Sequence, residues 1–146
     1  GILPADVFLN HYATTIGRTI YLVRPPGEGD PWRQIVLCVH EHQHVIQHDR
    51  DPIGYEARYL TEVSARVSYE VEAYRAGMEV DYARRGSMRP PWHVARSLAD
   101  YGASDIDQDI AQAQLEAAAE MLVRGAPPST EAARVALTWL QGRGLV

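Results

Sequence analysis

The chain has 146 residues, 46% of them hydrophobic, and its 14 basic and 19 acidic side chains give a formal net charge of −5. This size and composition predict one globular domain, and the scattered acidic residues argue against nucleic-acid binding, because phosphate contacts need a concentrated basic face. The single cysteine, Cys38, excludes an internal disulfide and a cysteine-rich metal site.

The sequence shows no pattern typical of a transmembrane segment or a signal peptide. The longest aliphatic run, residues 35–39, is far shorter than a membrane span, so we expect a soluble chain without a transmembrane segment. The chain begins with Gly1 and shows no charged segment followed by an apolar one, so we expect no signal peptide. The absence of an initial Met indicates a trimmed or processed chain, or a piece of a longer protein. Compartment and oligomeric state remain open.

The first predicted elements are two strands. Residues 7–23 are rich in Thr, Ile, Val and Tyr and carry Gly17 near their middle, which predicts two strands joined by a turn. The second strand, RTIYLVRPP, should end at its two prolines. After a GEGD loop, Asp30 supplies an N-cap and Pro31 a first helical position, so we expect a first helix from Pro31 to about His48.

The rest of the chain is predicted to be helical. A second stretch should run from about Tyr55 to Arg85 and end at Gly86, with Gly77 as a point of kinking or division. Three shorter helices should follow: one from Pro91 to Gly102, one capped by Ser104 and ending at Gly125, and one capped by Ser129 or Thr130 and ending near Gly142. The predicted fold class is therefore α+β, a small antiparallel sheet followed by helices.

The first helix carries the most informative motif. HEHQH, residues 40–44, satisfies HExxH, in which two histidines four positions apart lie on one helix face and can hold one metal ion. Glu41 lies about 100° round the helix from His40, close enough to reach a water on the ion without being a ligand. Two imidazoles and a carboxylate favour Zn²⁺, which lowers the pKa of water to about 7. We therefore expect His40 and His44 as zinc ligands and Glu41 as general base.

The neighbouring positions do not supply a third ligand. His48 lies on the same face, but its Cα is about 12 Å from that of His40, so we expect it behind the ligands or at the surface. His42 should contact solvent or a polar group. The longer pattern HExxHxxGxxH fails, because Gln47 stands at the glycine and Arg50 at the third histidine.

A third ligand is therefore expected from the second helical stretch. Among its glutamates, Glu70 alone falls in an apolar stripe formed by Leu60, Val63, Val67, Tyr74 and Met78. A carboxylate aimed into a core is costly unless it is paired or binds a metal, which favours Glu70 as ligand. The alternative is a buried salt bridge to Arg66 or Arg18. Glu72 lies about 200° round the helix and should face solvent.

The segments LCVHEHQHVIQ and YEVEAYRAG resemble the gluzincin metallopeptidases, and more narrowly the short bacterial gluzincin-like domains with HExxHVxQ and a later ExxA. ATTIGRTIYL resembles the Thr-Gly-rich strand that precedes the active-site helix in those domains. The resemblance covers about residues 12–80. It implies a zincin-like fold, zinc held by His40, His44 and Glu70, and Glu41 as the base of a peptidase acting on a peptide or protein.

The resemblance has limits within this sequence. Many gluzincins carry Asp four residues after the glutamate ligand, where it supports a ligating histidine, but here that position is Tyr74. Residues 87–146 carry no assignable motif. We expect residues 1–146 to form a single zincin-like metallopeptidase domain with a helical C-terminal part.

Two further questions stay open at the level of sequence. A zinc peptidase usually needs a Tyr, His or Arg opposite the metal to stabilise the transition state, and Tyr55 and His93 are the candidates. The alternatives to a peptidase are a catalytically inactive zinc-binding domain that acts as an interaction or regulatory module, and a helical interaction protein whose histidines match the motif by chance.

Overall fold

The computed structural model describes residues 13–25 and 27–146. Within these ranges the chain forms a two-stranded antiparallel sheet followed by helices, which confirms the predicted α+β class. The predicted strand residues 7–12 and Pro26, at the expected end of the second strand, lie outside the described residues. In the described part of the chain, every helix is too short or too polar to cross a membrane.

The two strands form a short hairpin on the first helix. Strand β1 (Thr14–Ile16) pairs with β2 (Thr19–Tyr21), with Thr15 opposite Ile20. Gly17 in the connecting turn has φ 57°, a left-handed conformation that favours glycine in a two-residue hairpin turn. The predicted turn at Gly17 is therefore confirmed, and β2 is shorter than the predicted second strand.

Helix α1 (Pro31–Arg50) begins where the sequence predicts. The Asp30 carboxylate accepts a hydrogen bond from the Trp32 N–H at 2.9 Å, which satisfies one of the free amides of the first turn. The helix ends two residues later than predicted. Its buried side chains include an unusual polar set: His40, Glu41, Gln43, His44 and Gln47.

The second predicted helical stretch, from about Tyr55 to Arg85, begins at Pro52 and is divided at Glu62 instead of at Gly77. Helix α2 (Pro52–Thr61) begins with Asp51 as its cap, and α3 (Val63–Arg85) ends at Gly86, as predicted. Glu62 between them is extended, with φ −117° and ψ 109°. Gly77, the expected point of division, lies inside a continuous α3. An added Cβ there would lie 3.2 Å from Val36 Cγ1, so this glycine permits the close approach of α1 to α3.

The C-terminal helices follow the predicted boundaries closely. Helix α4 (Pro91–Ser97) continues into a 3₁₀ turn (Leu98–Tyr101), and α5 (Asp105–Val123) begins with a capping box between Ser104 and Asp107. Helix α6 (Glu131–Gln141) is the last. Helix α3 contacts α1, α2, α5 and α6 and lies between two apolar clusters. This central position brings α3 alongside the HExxH helix.

Candidate metal centre

The structure brings the three predicted ligands together. His40 and His44 lie one turn apart on the buried face of α1, and Glu70 projects from the facing side of α3. Their exposed fractions are 8%, 5% and 1%. One potential ligand atom from each residue falls in a group whose members are all within 4.8 Å of one another.

The spacing of these atoms is close to that of a tetrahedral zinc site, with the two Glu70 oxygens each near a different histidine. The two Nε2 atoms of His40 and His44 are 3.3 Å apart. Glu70 Oε2 lies 3.3 Å from His40 Nε2, and Glu70 Oε1 lies 3.4 Å from His44 Nε2. Zinc bonds of about 2.0–2.1 Å at tetrahedral angles separate neighbouring ligand atoms by about 3.3–3.4 Å. With one atom from each residue, the ligand atoms lie within 4.8 Å of one another, so the three side chains could hold this ion.

One oxygen of Glu70 is buried without a hydrogen bond, and its polar neighbour is His40 Nε2 at 3.3 Å. Glu70 Oε1 accepts a hydrogen bond from the Tyr59 hydroxyl at 2.5 Å, whereas Oε2 is buried and has no hydrogen-bond donor. A buried carboxylate oxygen without a donor is costly, and a bound cation would remove that cost.

The alternative of a buried salt bridge to arginine does not hold. The Arg66 guanidinium donates to the backbone carbonyls of Tyr59, Leu60 and Tyr101. Arg18 pairs with Asp49 at 2.8 Å on the surface. Glu70 therefore faces the two histidines instead of an arginine.

The charges of the three groups are strongly coupled. Burial alone would lower the pKa of His44, but the charge and hydrogen bonding of Glu70 outweigh it and raise this pKa to about 9. Burial alone would raise the pKa of Glu70, but His44 and His40 outweigh it and hold this pKa well below its usual range. Glu70 is therefore a carboxylate, as a metal ligand must be.

The far side of the His44 ring is held by polar groups. Its Nδ1 lies 2.8 Å from Gln47 Oε1 and 3.2 Å from the Tyr55 hydroxyl. Without metal, the raised pKa keeps a proton on Nε2 that faces Glu70; a bound ion would displace that proton and use the Nε2 lone pair, while the hydrogen on Nδ1 stays. Tyr55 thus lies behind His44, on the side away from the ligand atoms, and its predicted role as transition-state stabiliser is not supported.

His40 has an aromatic neighbour instead of the carboxylate found in many gluzincins. The rings of His40 and Tyr74 meet edge to face, with centroids 4.6 Å apart. Burial and the charge of Glu70 raise the pKa of Tyr74, so its phenol stays neutral. Tyr74 therefore packs against the His40 ring.

Glu41 points into an open cleft beside the ligands. It accepts a hydrogen bond from the Thr15 hydroxyl at 2.8 Å, so the hairpin orients its carboxylate. His40, Glu41, Tyr74, Tyr101 and Arg89 are among the residues that line this cleft, whose volume is about 900 Å³. Glu41 and His40, which are 4% and 8% exposed, thus both line the cleft.

The residues that line the cleft also bear on which side chain could stabilise the transition state. His93 is exposed, stacks edge-on against Trp92 and does not line the cleft. It is therefore not supported as a transition-state stabiliser. Tyr101 and Arg89 line the cleft together with His40 and carry the kinds of donor that such a role needs.

Glu72 lies away from the ligand face as predicted, but it is only partly exposed to solvent. Its side chain is 33% exposed, and its carboxylate accepts hydrogen bonds from Gln47 Nε2 and from Arg50 Nη1, both at 2.8 Å. Helix phase places Glu72 away from the ligand face, but long side chains of α1 reach round to it. Glu72 is therefore linked to His44 through Gln47, although it is not among the clustered ligand atoms.

The other two histidines of α1 do not join the cluster. His48 is 17% exposed and lies 3.4 Å from Asp49 Oδ1 and 3.7 Å from Glu56 Oε1, near the surface as expected. His42 is half-buried beside Cys38 and Ile20, on the side of α1 that faces the hairpin.

Three residues around the centre were not singled out from the sequence: Thr15, Gln47 and Tyr59. Each makes a contact that depends on tertiary packing or on side-chain reach. Gln47 alone carries a sequence signal, because it occupies the last position of HVIQ in the motif that resembles the gluzincin-like domains. Tyr59 reaches Glu70 only because α2 turns back at Glu62.

No family model, no curated protein and no solved structure matches the chain. The function must therefore be inferred from the geometry of the centre and from the chemistry of its side chains.

Proposed function

We propose that the chain is a zinc-dependent peptidase with a zincin-like fold, in which His40, His44 and Glu70 hold the metal. The observation that carries this proposal is the buried cluster of two imidazoles and one carboxylate, with ligand atoms within 4.8 Å of one another, beside a glutamate that lines a cleft. The buried Glu70 Oε2, which lacks a hydrogen-bond donor, adds support. Zinc is the natural ion for two imidazoles and one carboxylate.

In the proposed reaction, Glu41 transfers a proton from the attacking water to the leaving amine. Zinc bound at the centre would supply a Lewis acid and make water acidic near neutral pH. Glu41 takes the proton of the attacking water and passes it to the nitrogen of the leaving amine, so that one carboxylate serves as base and then as acid. The hydrogen bond from Thr15 fixes the Glu41 side chain toward the cleft during both transfers.

The cleft is consistent with a peptide substrate. Leu22, Val23 and Arg24, which follow β2, line one side, and residues of α1, α3 and the segment after α3 line the other. A volume of about 900 Å³ accommodates several residues of an extended peptide. The same walls carry both apolar and charged groups, so they can contact side chains as well as the peptide backbone.

Cleavage of peptides is the direct test of this function. The zinc-loaded protein should cut members of a diverse peptide library, with products identified by mass spectrometry, and a chelator should stop the cutting. Zinc binding without cleavage of any peptide would instead favour the inactive zinc-binding module that docks to a partner.

Removal of the metal should lower the thermal stability. The centre joins α1 to α3, so an ion bound there stabilises the folded state relative to an unfolded chain with no preformed site. At a free zinc concentration about 1,000 times Kd, the stabilisation is about 4 kcal/mol, which corresponds to a shift on the order of 10 °C in Tm.

Calorimetry with and without chelator measures this shift. His42→Ala, on the same helix but outside the ligand cluster, should keep the full zinc-dependent shift, whereas His44→Ala should lose it. A Tm that does not respond to zinc in the wild type would contradict a centre that bridges two helices.

A further inference from the structure

A chain of hydrogen bonds leads from the surface to the buried ring of His44. Arg50 Nη1 donates to Glu72 Oε1 at 2.8 Å, and Gln47 Nε2 donates to Glu72 Oε2 at 2.8 Å. Gln47 Oε1 then lies 2.8 Å from His44 Nδ1. We propose that Gln47 is a positioning residue for the metal, and that Glu72 fixes its amide. This inference rests on the zinc site proposed above.

The two ends of the Gln47 amide have different surroundings, and these decide its orientation. Its Nε2 faces two acceptors, the Tyr69 carbonyl at 2.9 Å and Glu72 Oε2 at 2.8 Å. A flipped amide would direct its oxygen at both acceptors and lose two hydrogen bonds. Oε1 must therefore face His44, where it accepts the Nδ1 hydrogen. Once zinc displaces the proton from His44 Nε2, the lone pair of that nitrogen can bind the metal.

The neutral Gln47 amide, which lies between the Glu72 carboxylate and the His44 imidazole, avoids placing another negative charge next to the buried His44 ring. Metal-binding histidines usually donate their second ring hydrogen to a carboxylate or a carbonyl. A carboxylate placed directly at Nδ1 would add another buried acidic group close to Glu70 and Glu41, which are only 1% and 4% exposed. Gln47 holds the ring with a neutral oxygen, and the charge of Glu72 stays at a side chain that is one-third exposed and paired with Arg50.

Two α1 residues in this series of hydrogen bonds, Gln47 and Arg50, stand where the sequence departs from the longer histidine pattern. Gln47 and Arg50 occupy the glycine and third-histidine positions of HExxHxxGxxH. Here the helix continues through both positions to Arg50, and its last turn supports a ligand from behind. The Tyr55 hydroxyl is the other polar group at His44 Nδ1, at 3.2 Å, so it is the weaker of the two contacts.

A pair of matched variants separates positioning from general stability. Gln47→Met and Gln43→Met make the same chemical change on the same helix at positions that are 3% and 0% exposed. Gln43 accepts a hydrogen bond from the Ala132 N–H at 3.1 Å and has no contact with a ligand ring, so its loss affects only stability. Affinity for Zn²⁺ is measured by competition with a chromophoric chelator, and stability of the zinc-free proteins by urea unfolding.

We expect Gln47→Met to weaken zinc binding about 10- to 100-fold, the range typical of such supporting contacts. Gln43→Met should keep wild-type affinity even if it lowers the urea midpoint more. Equal zinc affinity of Gln47→Met and wild type would overturn the inference and leave the metal site intact. A wild-type chain that binds no zinc would overturn the site itself, and this inference with it.

A second variant and an NMR measurement keep the inference testable if Gln47→Met does not fold. Gln47→Asn keeps an amide but is one methylene too short to reach His44, so it should lose affinity as Gln47→Met does. In the zinc-loaded protein, NMR should show the His44 Nδ1–H proton exchanging slowly with water in wild type and in Gln43→Met, and faster in either Gln47 variant. Unchanged exchange in the Gln47 variants would contradict a hydrogen bond from this nitrogen to Gln47.

Discussion

Replacement of Glu41 by Gln is expected to abolish measurable peptide hydrolysis while leaving zinc binding close to wild type. The amide keeps the shape of the side chain but cannot take a proton from water, and loss of a general base costs on the order of 10²–10⁴ in rate. Glu41 is outside the cluster of ligand atoms, so the variant keeps every metal donor. Initial rates on the best peptide found for the wild type, with zinc content measured in the same samples, give both quantities.

The control for this substitution is Glu120→Gln, which makes the same change at an exposed position on α5. It should cleave at the wild-type rate. Equal rates for wild type and Glu41→Gln, at equal zinc content, would remove Glu41 from the role of base. A mixture of lower zinc content and lower rate would instead indicate that Glu41 supports the metal.

Replacement of Glu70 by Ala should cost more zinc affinity than any other single change outside the two histidines. It removes a donor atom, and the loss should exceed the roughly 10- to 100-fold range of residues that only support ligands. Glu72→Ala should stay at or below that range, because the Tyr69 carbonyl still holds Gln47 Nε2 in its absence. Zinc affinities of the two variants, determined by the same competition assay, rank the two glutamates.

The reverse ranking would contradict the assignment of the third ligand. If Glu72→Ala lost the metal and Glu70→Ala kept it, the ion would have to bind on the other side of Gln47. Glu70→Gln adds a finer test, because it keeps the shape that accepts the Tyr59 hydroxyl but removes the charge that balances the cation.

The clustering of His40, His44 and Glu70 could be predicted from the sequence because helix geometry is local. Two histidines four positions apart must share a helix face, whatever the rest of the fold does. Within α3, the spacing of Val67, Glu70 and Met78 also placed the carboxylate correctly, since all three are buried. A carboxylate that shares a face with apolar residues is informative, because its burial needs a partner.

The prediction of one apolar stripe failed around Glu62. Leu60 and Val63 belong to the predicted stripe, yet they are 65% and 37% exposed. The extended conformation of Glu62 resets the helix phase, so residues before it cannot share a stripe with residues after it. Neither glycine nor proline marks this break. The prediction therefore placed the division at Gly77, which packs against Val36 inside an unbroken helix.

The contacts that support the clustered residues could not be predicted from the sequence, for a different reason. The exposed position predicted for Glu72 followed from helix phase alone, which describes directions around one helix. Gln47 and Arg50 reach Glu72 from another helix, and the length of their side chains decides the contact. Thr15 likewise meets Glu41 only because the hairpin folds onto α1. Contacts of this kind require the relative placement of elements, which no local pattern supplies.

Zinc stoichiometry tests the central claim most directly. Purified protein, stripped of metal and then titrated with Zn²⁺, should bind one ion per chain, and elemental analysis after removal of free metal should give the same ratio. His44→Ala should reduce that ratio to near zero under the same conditions, whereas His42→Ala should retain one ion. A wild-type chain that takes up no zinc, or a His44→Ala variant that binds it as tightly as wild type, would contradict a metal centre at His40, His44 and Glu70.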